Sequence, residues 1–366
     1  MYNVIIIGGG IGGAASALRA GQNGMKTLWI LGSKITRKRS RSEWVMNLDN
    51  IVGFHENVIK NQVINSPKKN NHDEAISLLE EEHYHINNRM LIKNTISRIE
   101  KELPHVMISE GEATSLQKTE SGFEVSFNDE SVFANSVVLS TGVMDEQPHI
   151  WKQNKLGEWK ETPEWIYPFA NREQVLYCIR CEGHLTKNDS VAIIGFSNTA
   201  AELAMMLYER YQNKVYVLTN GATTAISNER LEILKKYHVE TISEPINDLM
   251  SESVKQLHGF VFETHNAVEV RYALVSLGLH KVYNELANLV EARLMDQDRP
   301  EEKRHVWIDH KGETSVKGLF AVGDMAKRED EPMMKQVYTA QEYAVRAVDT
   351  IDTRGRKAMR EKMFHF

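Results

Sequence analysis

The chain of 366 residues has two cysteines. That scarcity excludes a secreted scaffold stapled by several disulfides. No apolar run approaches the roughly 20 residues that a membrane-spanning helix needs, so no membrane association is expected. There is no basic excess either. Lys and Arg number 44 against 50 Asp and Glu, a formal net charge of -6, which gives no electrostatic basis for binding nucleic acid. Nor does a signal peptide show itself, because Met1 leads straight into an apolar run with no basic region before it. The expectation is a cytoplasmic, soluble protein. What remains is ordinary for a folded chain, 42% hydrophobic and 26% charged, at a length that suits two domains.

Both cysteines fall in one C-x-x-C, Cys178–Ile179–Arg180–Cys181. Two cysteines scattered over this length would rarely land three apart, so the spacing points to chemistry or to a metal. A thiolate pair of this kind works by attack and resolution, and Arg180 between the sulfurs favours the ionised form. Glu182 follows directly and is placed to return a proton as a general acid. The competing reading is half of a zinc site with His184, but a structural zinc site wants four ligands and no second cysteine pair exists.

The pattern around these residues alternates strand, glycine turn and helix. Val4–Ile7 is a β-branched run suited to a strand buried on both faces. Gly8, Gly10 and Gly13, with Gly12 among them, form G-x-G-x-x-G, and a small-residue helix and the apolar run Thr27–Leu31 follow. In this context each glycine serves a pyrophosphate: a tight turn, an open backbone, a close helix packing. A second such unit starts at Ser190, with Gly195, Ser197 and Ala200 at the three glycine positions. Between the units, Ser66–Pro104 predicts one or two surface helices around Ile76, Leu79 and Ile96. Phe123–Phe127 and Phe133–Leu139 predict a hairpin turning at Asn128–Asp129, and Lys152–Arg172 an irregular connection. Val337–Ile351 predicts a helix, followed by a basic tail ending in Phe364, His365 and Phe366.

In order, G-x-G-x-x-G, S-T-G at Ser140–Gly142, C-x-x-C, a second glycine turn and G-L-F-A-V-G-D at Gly318–Asp324 resemble the low-molecular-weight thioredoxin reductases. These are FAD-dependent pyridine-nucleotide disulfide reductases. The resemblance runs over nearly the whole chain and is most specific in YCIRCEG and VAIIGFSNTAAELA. It implies an α/β fold of two Rossmann-like (three-layer ββα) domains, the second inserted in the first: 1–147 plus 277–366 for FAD, and 148–276 carrying the cysteine pair. It further implies that Gly8, Gly10, Gly12 and Gly13 line the FAD pyrophosphate. Asn50 lies near the flavin, Thr141 and Gly142 mark the crossing between domains, Gly323 and Asp324 meet the ribityl or phosphate region, and Lys335 and Gln336 stand near the isoalloxazine. Cys181 would face the flavin and Cys178 would exchange with a substrate disulfide on a thioredoxin-like protein or small molecule. A homodimer is implied as well.

Five departures bear on chemistry. Glu182 stands where aspartate is usual, one methylene longer. Val52 replaces a proline after Asn50. The carboxylate that ordinarily ends the second strand and holds a ribose is replaced by Gly32–Ser33. Ser197 replaces the second glycine of the inserted unit, and Thr219–Thr224 offers no arginine for a 2′-phosphate and no acid for a ribose. NAD(P)H use is therefore in question, and a ferredoxin-like donor, a dithiol-oxidising role and a flavin-binding redox sensor stay open. An aromatic cap on the flavin by Phe364 or Phe366 is a further expectation.

Overall fold

The computed structural model describes residues 1–33, 40–44, 47–48, 50–52, 86–153, 159–170, 172–252, 256–329 and 335–364. The chain divides into two compact units. The first comprises Met1–Glu43, Asn88–Met144 and Leu279–Phe366, and the second Trp44–Asn87 and Asp145–Gly278.

The first unit is built on a seven-stranded sheet. Its parallel part is Val106–Ser109, Thr27–Ile30, Tyr2–Ile7 and the end of Glu130–Leu139, with Leu319–Ala321 against the last of these. Val4, Ile5, Ile6 and Ile7 are at most 4% exposed, as an unalternating apolar strand requires when both faces are covered. Each such side chain stabilises the fold by about 1.5–3 kcal/mol relative to exposure. The long strand Glu130–Leu139 serves three partners. Its first half closes an antiparallel hairpin with Gly122–Phe127 through Asn128 and Asp129, at φ 50 and φ 61. Asn and Asp are the non-glycine residues that best tolerate this two-residue turn, so the expected hairpin forms where its turn residues stand.

The second unit holds a five-stranded parallel sheet, in order Val175–Leu176, Tyr272–Val275, Ser190–Ile194, Lys214–Leu218 and Glu240–Ile242. The helix Asn198–Tyr211 packs on it through Ala200, Ala201, Ala204 and Leu207. The two-Rossmann α/β architecture is thus present.

Three expectations need correction. Lys152–Arg172 is not irregular throughout: Ile150–Gln153 and Trp159–Thr162 form an antiparallel hairpin and Ile166–Ala170 a short helix. The helix expected over Val337–Ile351 runs on to Phe364, because Thr353–Phe364 is rich in good helix formers and contains no proline. Of the surface helices expected over Ser66–Pro104, the described part is one helix, Asn88–Glu102; Ile76 and Leu79 lie outside the described residues.

Candidate functional site

In the first unit three strand ends converge on one glycine turn. Gly8 has φ 127, and a Cβ there would lie 2.1 Å from the Ser140 carbonyl oxygen, so only glycine fits. Its own carbonyl accepts from Trp29 Nε1 at 2.9 Å. A Cβ on Gly12 would meet Ser140 Oγ at 2.7 Å and Val322 Cγ2 at 3.2 Å. The start of the helix Ile11–Gln22 therefore sits against both Ser140 and the Val322–Gly323 turn. Thr141 donates from Oγ1 to the Tyr283 carbonyl at 2.5 Å. Gly323 and Asp324 open a short 3-10 turn beside the start of the C-terminal helix, where Gln336 is buried and its carbonyl accepts from Ala340 N at 3.0 Å. Arg41 Nη1 reaches Asp324 Oδ2 at 3.5 Å.

Gly10 is different in kind. Its φ is -79, open to any residue, and the nearest atom to a Cβ built there is Ser42 Oγ at 4.0 Å. No described residue demands glycine at this place. A bare backbone at the mouth of a helix N-terminus, beyond the carboxyl ends of parallel strands, is what a pyrophosphate needs in order to approach. The first turn therefore fits a dinucleotide cofactor, and Gly8, Gly10, Gly12, Gly13, Ser140, Thr141, Gly142, Gly323, Asp324 and Gln336 come together in one unit around it. Asn50 is partly buried and Val52 is 97% exposed.

The redox pair lies in the second unit. Cys178 and Cys181 are joined by a disulfide with Cα atoms 5.3 Å apart. Cys178 precedes a single helical turn, Ile179–Glu182, and its carbonyl accepts from Cys181 N at 3.1 Å and Glu182 N at 3.0 Å. Both sulfur-bearing residues are partly exposed and Arg180 faces solvent. Glu182 is 5% exposed, and its Oε2 accepts from Tyr177 N at 3.3 Å. The Tyr177 hydroxyl in turn donates to Gln147 Oε1 at 2.5 Å. Burial, then the nearby Asp145 and Glu182 carboxylates, push the Tyr177 phenol far above its ordinary range, so it stays a hydrogen-bond donor. A buried carboxyl thus stands one residue from the disulfide, on a neutral, hydrogen-bonded frame.

The profile of the pyridine nucleotide-disulphide oxidoreductases matches residues 2–344. The chain belongs to this family. It is similar to the F component of the alkyl hydroperoxide reductase of Pseudomonas aeruginosa, with 23% identity over 327 residues, 88% of this chain and 53% of the relative. The corresponding component from Staphylococcus epidermidis strain RP62A is likewise 23% identical, over 65% of this chain and 44% of its own length. The chain spans about half the length of these relatives. Among solved structures, thioredoxin reductase from Streptococcus pyogenes superposes with a TM-score of 0.70 at 16% identity, covering 98% of this chain and 99% of that one. An oxidoreductase from Agrobacterium tumefaciens gives 0.68 at 17%, covering 99% of each chain. Thioredoxin reductase-like members of the family are FAD-dependent oxidoreductases acting on sulfur groups, and they use FAD and NAD(P)H.

The second glycine turn fits NAD(P)H poorly. Gly195 is held by close approach, since a Cβ there would lie 2.7 Å from the Ser276 carbonyl oxygen. Ser197 precedes the helix Asn198–Tyr211 in an extended conformation, φ -111 and ψ 169, and puts a side chain where Gly10 has none. The side chains of Thr219 and Asn220, directly beyond Leu218, are spent on the chain itself. Thr219 Oγ1 donates to the Ser243 carbonyl at 3.3 Å, Asn220 Nδ2 to the His149 carbonyl at 2.7 Å, and Asn220 Oδ1 accepts from Ile246 N at 2.8 Å. The first cation after Leu218 is Arg230, and it pairs with Glu202 at 2.8 Å. Among the described residues just beyond Leu218, no arginine fork is left for a 2′-phosphate.

Sequence reasoning missed Trp29, Arg41, Ser140, Tyr177 and Gln147. Ser140 opens the S-T-G motif and Tyr177 the YCIRCEG stretch, but neither was given a role of its own. No pattern marks Arg41, Trp29 or Gln147, whose partners lie 283, 21 and 30 positions away.

Proposed function

We propose that this chain is a thioredoxin reductase-like flavoenzyme whose first unit would hold FAD and whose Cys178–Cys181 disulfide, in the second unit, is the redox-active group of the protein. When bound, FAD supplies two-electron chemistry. Gly10 would leave its pyrophosphate room, Gly8, Gly12 and Gly13 would shape the turn, and Asp324, Lys335 and Gln336 would hold it towards the flavin end; Asn50, in the second unit, is a further candidate from the resemblance. Two electrons and two protons convert the disulfide to two thiols. Glu182 holds one of those protons beside Cys181. Cys178 then attacks a disulfide on a thioredoxin-like protein or small molecule, and Cys181 resolves the mixed disulfide.

The observation that carries this reading is the pairing of an open pyrophosphate cradle with a C-x-x-C disulfide in one chain. Because the second turn lacks a phosphate grip, NADPH serves poorly as donor, and a ferredoxin-like protein is the favoured source of electrons. The same lack favours a second reading, with flow in the opposite direction from a dithiol substrate to FAD. The protein acts as a homodimer in the cytoplasm. Replacing Cys178 by serine tests the assignment: FAD stays bound and disulfide exchange ceases. Exchange that survives the substitution refutes it.

A further inference from the structure

The turn that carries the two sulfurs also carries an unpaired cation. Ile179 is buried in the core of the second unit beside Leu176, Val191 and Leu207. Glu182, three residues on, is buried with it. Side chains advance by about 100° per residue around a helical turn, so anchoring Ile179 inward turns Arg180 outward. Arg180 is exposed. Among the described residues its guanidinium has no hydrogen bond and no ion pair. Arg230, Arg293 and Arg354, by contrast, are held by Glu202, Glu329 and Glu313.

The surface around the sulfurs has the same sign. From Tyr177 to Asn188 the only acid is Glu182, and its Oε2 is turned to the Tyr177 backbone N–H. Asp145, which acts on the Tyr177 phenol, is buried too. Asp189, the next acid along the chain, lies 3.9 Å from Arg271. The exposed charges of the stretch are Arg180 and Lys187, with His184 between them in sequence. Cys178 and Cys181 are partly exposed on the same turn.

A disulfide that reaches Cys178 must bring a sulfur within two residues of Arg180. At a partly exposed site the two sides interact through a screened Coulomb field rather than a buried pair. A carboxylate beside the attacked sulfur is drawn in, and an ammonium is repelled. We propose that Arg180 selects the substrate by charge, and that the disulfide exchanged by this protein bears carboxylates beside its sulfurs. The inference rests on Cys178 as the exchanging thiol and names the substrate class of that same site. The Cys178 thiolate bonds to one substrate sulfur and expels the other as a thiolate. Cys181 then bonds to Cys178 and expels the second, its proton passing to a released thiolate. The substrate gains the two electrons that the cysteine pair loses. Both directions pass through one mixed disulfide, so the selection holds for a disulfide or a thiol substrate.

Full-length protein, reduced with dithiothreitol and desalted without oxygen, is mixed with disulfides of three charges: dithiodipropionate, hydroxyethyl disulfide and cystamine. Alkylation and mass spectrometry count the thiols that remain. Synthetic cyclic peptides whose disulfide is flanked by glutamates or by lysines form a second arm. Each rate is compared between wild type and Arg180→Gln, which cancels the intrinsic reactivity of the substrate. Relative to the neutral disulfide, Arg180 is expected to speed the dianion and slow the dication by about fivefold each. Arg180→Lys should keep this order and Arg180→Glu reverse it. Raising the ionic strength from about 0.01 M to about 1 M should erase the preference, because the screening length falls from about 30 Å to about 3 Å. A preference among the small disulfides alone assigns a small substrate, and one shared by the peptides assigns a protein; either supports the inference. A single common factor for every disulfide means that Arg180 acts on the thiolate alone, and overturns it. Exchange that survives in Cys178→Ser overturns the redox assignment instead, so the two failures are distinguishable.

Discussion

At the second position of its turn the first unit has Gly10, with an ordinary φ of -79 and open space where a Cβ would be. At the same position the second unit has Ser197, with φ -111. The backbone follows nearly the same path, and the turns lie at corresponding ends of parallel sheets. The difference is what each leaves for a ligand. In the first unit the glycine is surplus to the fold and available to a cofactor. In the second that room holds a hydroxymethyl group, and Thr219 and Asn220 beyond Leu218 are engaged by Ser243, His149 and Ile246. A shared architecture therefore does not imply a shared ligand, and the contrast can be attacked residue by residue.

The largest effect is expected where glycine serves the fold. Gly8→Ala adds a Cβ 2.1 Å from the Ser140 carbonyl oxygen at a φ that suits glycine, and should cost about 4 kcal/mol from strain and overlap together. Urea denaturation checks this, and FAD should be lost along with stability.

Next comes acid sensitivity, which should separate the units. In the first, His305 is 2% exposed, and burial presses its imidazole down to about 4 against the opposing hydrogen bond with Asp296. For Asp296 burial acts upward, but hydrogen bonds from Lys327 and His305 prevail and hold its carboxyl below the usual range. The unfolded chain takes up a proton on this histidine near pH 6.5, whereas the folded chain resists until about pH 4. The unfolded state thus binds more protons in that window, and stability falls as the pH falls through it, by about 3 kcal/mol at most. Asp296 adds a further loss below its unfolded pKa, as pH falls through its depressed folded value. Hydrogen exchange between pH 7 and 4 should show the first unit opening before the second, and His305→Gln should flatten the pH dependence.

Gly10→Val comes third. It should leave the denaturation midpoint nearly unchanged while weakening FAD binding about 100-fold, or about 2.7 kcal/mol. Fluorescence on FAD release measures this. Smaller still is the attempt to repair the second turn. Ser197 and Ala225 are joined by a parallel bridge, so an arginine at 225 would stand beside the turn. Ser197→Gly with Ala225→Arg should speed flavin bleaching by NADPH about tenfold, and Ser197→Gly alone by much less, as stopped-flow absorbance would show.

Much of this was legible in the residues. The unalternating run Val4–Ile7, the turn pair Asn128–Asp129 and the three glycines each have a local cause, and local causes survive into the fold. The cysteine spacing likewise carried through to a disulfide. What the sequence hid were partnerships across distance: Arg41 with Asp324, Tyr177 with Gln147, Trp29 with the Gly8 carbonyl. The tail misled for a related reason. Its basic, polar composition reads as a loose end, yet the helix continues through it. Twenty-eight helical residues rise about 42 Å, so Phe364 lies far from Gln336 and does not fold back to cap the cradle of its own unit. Phe366 lies outside the described residues.

In the proposed function one flavin and one cysteine pair form a single electron-storing system. Anaerobic titration with dithionite counts its capacity directly. Four electrons per FAD are expected in the wild-type protein and two in Cys178→Ser. Two electrons per FAD in the wild type, with the disulfide left intact, would contradict it.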